Sequence, residues 1–299
     1  MHLFYFLGID GNNHNFYVKY SEVIIMKKPI VAIMYDFDKT LCTKDMQEFS
    51  FIPEYLEMES KDFWMEVEAF TQKEEMDPIL SYMQVMIKKS EELKKPIKRE
   101  ELVSMGKAIQ FFSGMDTWFQ RLNQYADHLG IILEHYVISS GLKEIIEGTS
   151  IYPYFKRVYA CEFLYNERGN AYWPKLSVNY TAKTQFLFRI NKGSLEISND
   201  KDVNVYVKDE DRRVPFENMI YIGDGLTDIP CMKLVKTYGG HSIVVYTDSS
   251  FQIAKQLHDD NRVNFITKAD YQENSKMEEI CKSILRMVRA KEEVHDFYE

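Results

Sequence analysis

The feature that most constrains this 299-residue chain is the run Ile30-Val31-Ala32-Ile33-Met34-Tyr35, which ends abruptly at Asp36. Six consecutive apolar residues rich in strand formers, too few for a helix, read as a β-strand buried on both faces. That burial is the signature of a parallel sheet covered by helices. Similar runs recur at Tyr136–Ile138, Arg157–Ala160, Met219–Ile222 and Ser242–Tyr246, with a shorter Phe265-Ile266 late in the chain. Between them, Met115–Asp127, Leu142–Glu147, Thr181–Ile190 and Asp228–Val235 keep helical spacing, and Lys276–Lys291 forms an amphipathic terminal helix. Strands alternating with helices predict an α/β class fold, a doubly wound, Rossmann-like parallel sheet core.

Two segments interrupt the alternation. Residues 45–112 contain no strand-like run, and Phe63, Val67, Phe70, Leu80, Met83 and Ile87 recur at helical spacing. This predicts a helical domain inserted into a core made of 26–44 and 113–299, its Lys and Glu residues forming a solvated helix face. A smaller insertion covers 193–217: Asn191-Lys192-Gly193 signals a helix end, and Val203–Val207 alternates like a short strand. Residues 1–25 form an N-terminal extension of uncertain status. Its apolar stretch Leu3–Ile9 is too short and wrongly flanked for a signal peptide, and Met26 serves equally well as a start.

Composition narrows the function classes. With 37 Lys and Arg against 46 Asp and Glu, the formal net charge is −9, which argues against a nucleic-acid partner. No stretch approaches 18 apolar residues, so no membrane span is expected. Cys42, Cys161, Cys231 and Cys281 are far apart in sequence, without the spacing of a zinc site, and fit a reducing cytoplasmic compartment.

Four short segments carry chemistry. In Asp36-Phe37-Asp38-Lys39-Thr40, two carboxylates at a strand end can share a divalent cation, one acting as nucleophile and the other as general acid. A polar strand-to-loop turn looks the same. In Gly223-Asp224-Gly225-Leu226-Thr227-Asp228, two glycines allow a tight turn and two aspartates can complete a hard-cation site, with Asp228 also placed to cap the next helix. Ser139-Ser140-Gly141 ends another strand, where a hydroxyl and backbone N–H groups suit an anion. Lys183 opens a helix and, taken alone, reads as surface. Asp45 and Glu48 suit either a substrate amine or hydroxyl, or the first turn of a helix. The scattered histidines read as solvated or core residues. Open α/β sheets bind ligands beyond the carboxyl ends of their strands, where three of the four segments lie.

The order of these motifs closely resembles the haloacid dehalogenase-like hydrolase superfamily. The position of the helical insertion and the SSGL and TxK segments are similar to its phosphoserine-phosphatase-like branch. The resemblance spans Asp36 to Asp228 and implies a type C1 helical cap. It implies a Mg²⁺-dependent phosphomonoester phosphatase that forms an aspartyl-phosphate. Asp36 would be the nucleophile and Asp38 the acid/base. Ser139 (favoured over Ser140) and Lys183 would meet the phosphoryl group, with Ser140 and Gly141 as backbone donors and Thr40 as loop support. Asp36, the backbone carbonyl of Asp38, and Asp224 would hold the metal, with Asp228 as a further or water-mediated ligand. Asp38, absent from dehalogenases, favours phosphoryl chemistry on a small phosphorylated metabolite. A phosphotransferase or mutase, a signalling receiver and a non-catalytic regulatory protein are the alternatives. Substrate and oligomeric state are not legible.

Overall fold

The computed structural model describes residues 28–295; the N-terminal extension and the alternative start at Met26 lie outside the described residues. Strand β1 (Ile30–Tyr35) is followed by the helices α1 (Ser60–Glu74), α2 (Pro78–Glu92) and α3 (Arg99–Met105), with single turns before and after them. The chain then runs through α4 (Met115–His128), β2 (Ile132–Leu142), α5 (Lys143–Glu147), β3 (Phe155–Tyr165) and β4 (Ala171–Leu176). It continues through α6 (Ala182–Lys192), α7 (Asp200–Asn204), β5 (Met219–Gly223) and α8 (Ile229–Thr237). The last elements are β6 (His241–Tyr246), α9 (Phe251–Asp259), β7 (Phe265–Lys268) and α10 (Lys276–His295). No helix among the described residues is long and apolar enough to cross a membrane.

The seven strands form one sheet in the order β4-β3-β2-β1-β5-β6-β7. Every pairing is parallel except the hairpin β3–β4. This is the doubly wound α/β architecture expected from the buried runs. Strand β1 lies at the centre, and Val31 to Tyr35 are entirely buried, as a strand covered on both faces requires. The chain first builds β2 and β3 on one side of β1 and then crosses to build β5, β6 and β7 on the other. The reversal leaves a crevice beyond the carboxyl end of β1. Register brings the strand ends level there, since Tyr35 faces Val137 of β2 and Ile222 of β5.

The segment between β1 and α4 leaves and returns at one point. Cys42 bridges Phe111, with Thr43 N–H donating to the Gln110 carbonyl at 3.0 Å and Phe112 N–H to that of Leu41 at 3.1 Å. Within it, α2 starts sharply because the Asp77 carboxylate accepts from the N–H groups of Ile79 and Leu80 and Pro78 fills the first turn. Two expectations about this chain change. Val203–Val207 is not a strand: α7 covers Asp200–Asn204, capped by the Asn199 side chain accepting from Asp202 N–H, and that local bond outweighs the valine alternation. Strand β4 was not expected, because Ala171, Pro174 and Lys175 dilute its pattern, and as an edge strand it tolerates the proline. The 193–217 segment folds back onto α6 and β2. Arg189 donates to the carbonyls of Glu196, Ile197 and Asn199, and Arg213 pairs with Glu134.

Candidate active site

All four chemistry-bearing segments converge on the crevice beyond β1, beside a cavity of about 610 Å³. Asp36, Asp38, Ser139, Ser140, Lys183 and Asp224 line it. Each arrives for a local reason. Asp36 is the first residue past β1, its N–H still in the ladder with the Ile222 carbonyl at 2.9 Å. Lys39 takes up left-handed φ (55°), which turns the chain back so that Asp38 faces the same space. In β2 the pairing with β3 slips between Ile138 and Leu142, lifting Ser139-Ser140-Gly141 out of the ladder. Such irregularities commonly re-aim residues beside a site.

Lys183 is not a surface lysine. Its side chain is 1% exposed, and its Nζ donates to Asp36 Oδ1 at 2.9 Å and Asp228 Oδ1 at 2.8 Å. Burial alone would lower the lysine pKa, but the charges of Asp228 and Asp36 outweigh it and raise it, so the ammonium stays charged. Burial and the Asp228 charge push Asp36 up to about 6 against the pull of Lys183. Burial, then the charges of Asp228 and Asp36, push Asp224 up to about 8. Asp38 is driven well upward by burial and by the charges of Asp45 and Asp36.

Asp228 precedes α8 but does not cap it. Its carboxylate points to Lys183 and accepts from Tyr221 Oη at 2.7 Å. The glycines of this segment also act differently from a tight turn. Gly225 has φ −154°, open to any residue, whereas a Cβ on Gly223 would lie 2.4 Å from Asp228 Oδ2. Gly223 is small so that the carboxylate can lie over the strand end. Gly141 has the same role opposite, where a Cβ would sit 2.8 Å from Asp38 Oδ2 and 2.1 Å from Met46 Cε. Gly141 N–H donates to Ser139 Oγ at 3.0 Å. Neither Gly141 nor Thr40 is among the lining residues. Thr40 is fully buried, and its carbonyl accepts from Tyr271 Oη at 2.7 Å.

Asp36, Asp224 and Asp228 place carboxylate oxygens within 4.8 Å of one another. Asp228 Oδ2 is buried with no hydrogen-bond partner. Three carboxylates, one with an orphaned oxygen, form the all-oxygen donor set that a hard divalent cation such as Mg²⁺ prefers. The Asp38 side chain is outside this group. Its Oδ1 accepts from Met46 N–H at 2.8 Å.

The helices after β1 supply the rest of the cavity wall, including Trp64, Glu68, Ile79 and Tyr82, with Gln47 from the turn before them. The helical repeat read from the sequence took in Phe63, Val67 and Phe70 and did not include Trp64 or Tyr82. The available signal was Trp64 directly following Phe63, because two adjacent large aromatics cannot share one helix face. Helix α2 is tied to the core loops by Tyr82 Oη donating to the Ser140 carbonyl at 2.7 Å and by Asn179 Nδ2 donating to Asp77 at 2.8 Å. Asp45 pairs with Lys39, and Glu48 accepts from the Trp64 indole.

Comparison with known proteins gives concordant results. Residues 33–233 match the model of the family described as haloacid dehalogenase-like hydrolase. An uncharacterized protein of Borreliella burgdorferi is 30% identical over 290 residues, covering 86% of this chain and 99% of its own. Among solved structures, a HAD family hydrolase from Salmonella enterica serovar Typhi superposes with TM-score 0.55 at 13% identity, over 88% of this chain and 76% of that one. A substrate-bound phosphoserine phosphatase gives TM-score 0.51 at 18% identity, over 82% of this chain and 96% of that one. At such identities the structural likeness speaks to fold alone.

Proposed function

Because the chain belongs to the haloacid dehalogenase-like hydrolase family, we propose that it is a Mg²⁺-dependent phosphomonoester phosphatase acting on a small phosphorylated metabolite through an aspartyl-phosphate. The observation that carries this reading is the arrangement of two carboxylates two residues apart with different partners. Asp36 is clamped by Lys183 beside Asp224 and Asp228, while Asp38 is held apart from that group by Met46 N–H.

In this reading Asp36 attacks phosphorus, and the ester bond to the leaving oxygen breaks. Asp38 gives its proton to that oxygen and then takes one from the water that hydrolyses the acyl phosphate. Lys183 keeps Asp36 in place and offsets charge building on the phosphoryl oxygens, and Ser139 hydrogen-bonds one of those oxygens. Mg²⁺ held by Asp36, Asp224 and Asp228 would supply Lewis-acid neutralisation of the phosphoryl charge. Helices α1 to α3 and their flanking turns act as a cap over the site, excluding water and selecting the ester.

The test is phosphate release from para-nitrophenyl phosphate with Mg²⁺ and with EDTA, in the parent protein and in Asp36→Asn. Release that needs Mg²⁺ and falls at least about 10³-fold in the variant is the expected result, in the range set by losing a catalytic nucleophile. Undiminished turnover by Asp36→Asn would overturn the nucleophile assignment.

A further inference from the structure

The cavity wall supplied by the insertion and its flanking turn is acidic and aromatic, and its polar groups are unevenly satisfied. Five carboxylates line the cavity (Asp36, Asp38, Asp45, Glu68 and Asp224) against two lysines. Both lysines are engaged: Lys183 lies between Asp36 and Asp228, and Lys39 pairs with Asp45 at 2.6 Å. Helices α1 and α2 add no cation to the lining. Glu68 accepts only a hydrogen bond from Gln72 at 3.2 Å and has no ion pair among the described residues. Gln47 is 2% exposed, and its Oε1 is buried without a hydrogen-bond partner. Trp64 and Tyr82 meet edge to face at 6.2 Å. Their polar atoms are committed to Glu48 and to the Ser140 carbonyl, and Tyr82 is buried, so the cavity meets chiefly the ring carbon of Trp64.

A carboxylate on the ester's alcohol would lose water here and find no uncommitted cation. An ammonium would find the solvent-exposed Glu68 carboxylate, which has no cation partner among the described residues, and the Trp64 ring. We propose that the ester bound in this cavity is that of an amino alcohol, carrying a protonated primary or secondary amine and no carboxylate on an apolar body that meets Trp64 and Ile79. The inference rests on the phosphomonoester reading of the same site. It separates this cavity from one built for phosphoserine, whose alcohol bears both an amine and a carboxylate.

The experiment uses the full chain with Mg²⁺ and two phosphonates, 3-aminopropylphosphonate and 2-amino-4-phosphonobutyrate, which differ by one carboxylate. Calorimetric titration is expected to show the first binding at least about tenfold more tightly, the scale of one charge-assisted hydrogen bond. The matching esters, phosphoethanolamine and phosphoserine, should show the same order in kcat/KM. Glu68→Gln should shrink the preference by about threefold or more, and Glu68→Lys should reverse it. Equal affinities, tighter binding of the carboxylated compound, or no binding of either overturns the proposal, even where para-nitrophenyl phosphate is hydrolysed. Selective binding of the aminophosphonate with no ester turned over would support the amine site and overturn the phosphatase reading instead.

Discussion

Lys183→Met tests the electrostatic centre of the site. The ammonium lost is 1% exposed and holds Asp36 and Asp228 at 2.9 and 2.8 Å, so its removal leaves two buried carboxylates facing each other. Removing one partner from a buried ion pair costs about 3–5 kcal/mol. A stranded carboxylate can escape that cost by taking a proton, and this sets a ceiling. With an ordinary Asp value of 3.8, protonation at pH 7.5 costs about 5 kcal/mol per group, and at pH 5.5 about 2.3 kcal/mol, at 1.36 kcal/mol per pH unit. Metal-free Lys183→Met should therefore lose about 3–5 kcal/mol at pH 7.5 and only about 2 kcal/mol at pH 5.5. Urea unfolding in EDTA at the two pH values measures both numbers. Lys183→Met combined with Asp228→Asn removes one stranded charge together with the cation. The pair should recover about 1–3 kcal/mol relative to the sum of the single losses. A loss below about 1 kcal/mol at both pH values, or strict additivity in the double variant, would refute the picture of a cation holding two buried carboxylates.

Two further outcomes follow from particular contacts. His135 is buried between Tyr35 Oη and Asn123, and burial lowers its pKa from 6.5 to about 3. The folded protein thus refuses a proton that the unfolded chain accepts; the stability due to the neutral ring is complete above pH 6.5 and is lost as pH falls toward 3. His135→Asn should flatten the unfolding free energy across that window by up to about 1.4 kcal/mol per pH unit, and an unchanged slope in urea titrations would count against the assignment. Gly223→Ala, which places a Cβ 2.4 Å from Asp228 Oδ2, should cost about 1–3 kcal/mol by overpacking. Gly225→Ala, where nothing lies within 4 Å of the added carbon, should change stability by less than about 0.5 kcal/mol. Equal thermal shifts for the two alanines would remove the argument that Gly223 makes room for the carboxylate.

What the sequence disclosed about this fold and site, and what it concealed, follow from the range of the forces involved. The sheet was legible because a strand covered on both faces must be apolar at every position, and Ile30–Tyr35 shows that without any knowledge of its neighbours. Strand ends were legible for the same reason, since Asp36 and Asp224 stand where an apolar run stops and the crevice of a doubly wound sheet opens. The burial of Lys183 was not legible from its own helix, because nothing within a few residues pairs with it. Its partners lie 147 and 45 positions away and meet it only once β1 and β5 are adjacent. Val203–Val207 misled because alternation over five residues is weaker evidence than one local cap, and Asn199 supplies that cap. The cavity wall was the hardest part to read. Helices α1 and α2 present one apolar face to their own core and, on the adjoining face, Trp64 and Glu68 to the cavity, and the boundary between those faces depends on how the insertion closes onto Ser140 through Tyr82. Periodicity identifies the face that is buried in the helix pair and is silent about a second face turned toward the cavity. In the proposed reading, specificity resides on that second face. The residues that would carry the chemistry could accordingly be named from short motifs, whereas the lining that Trp64 and Glu68 contribute emerges only from the folded cavity.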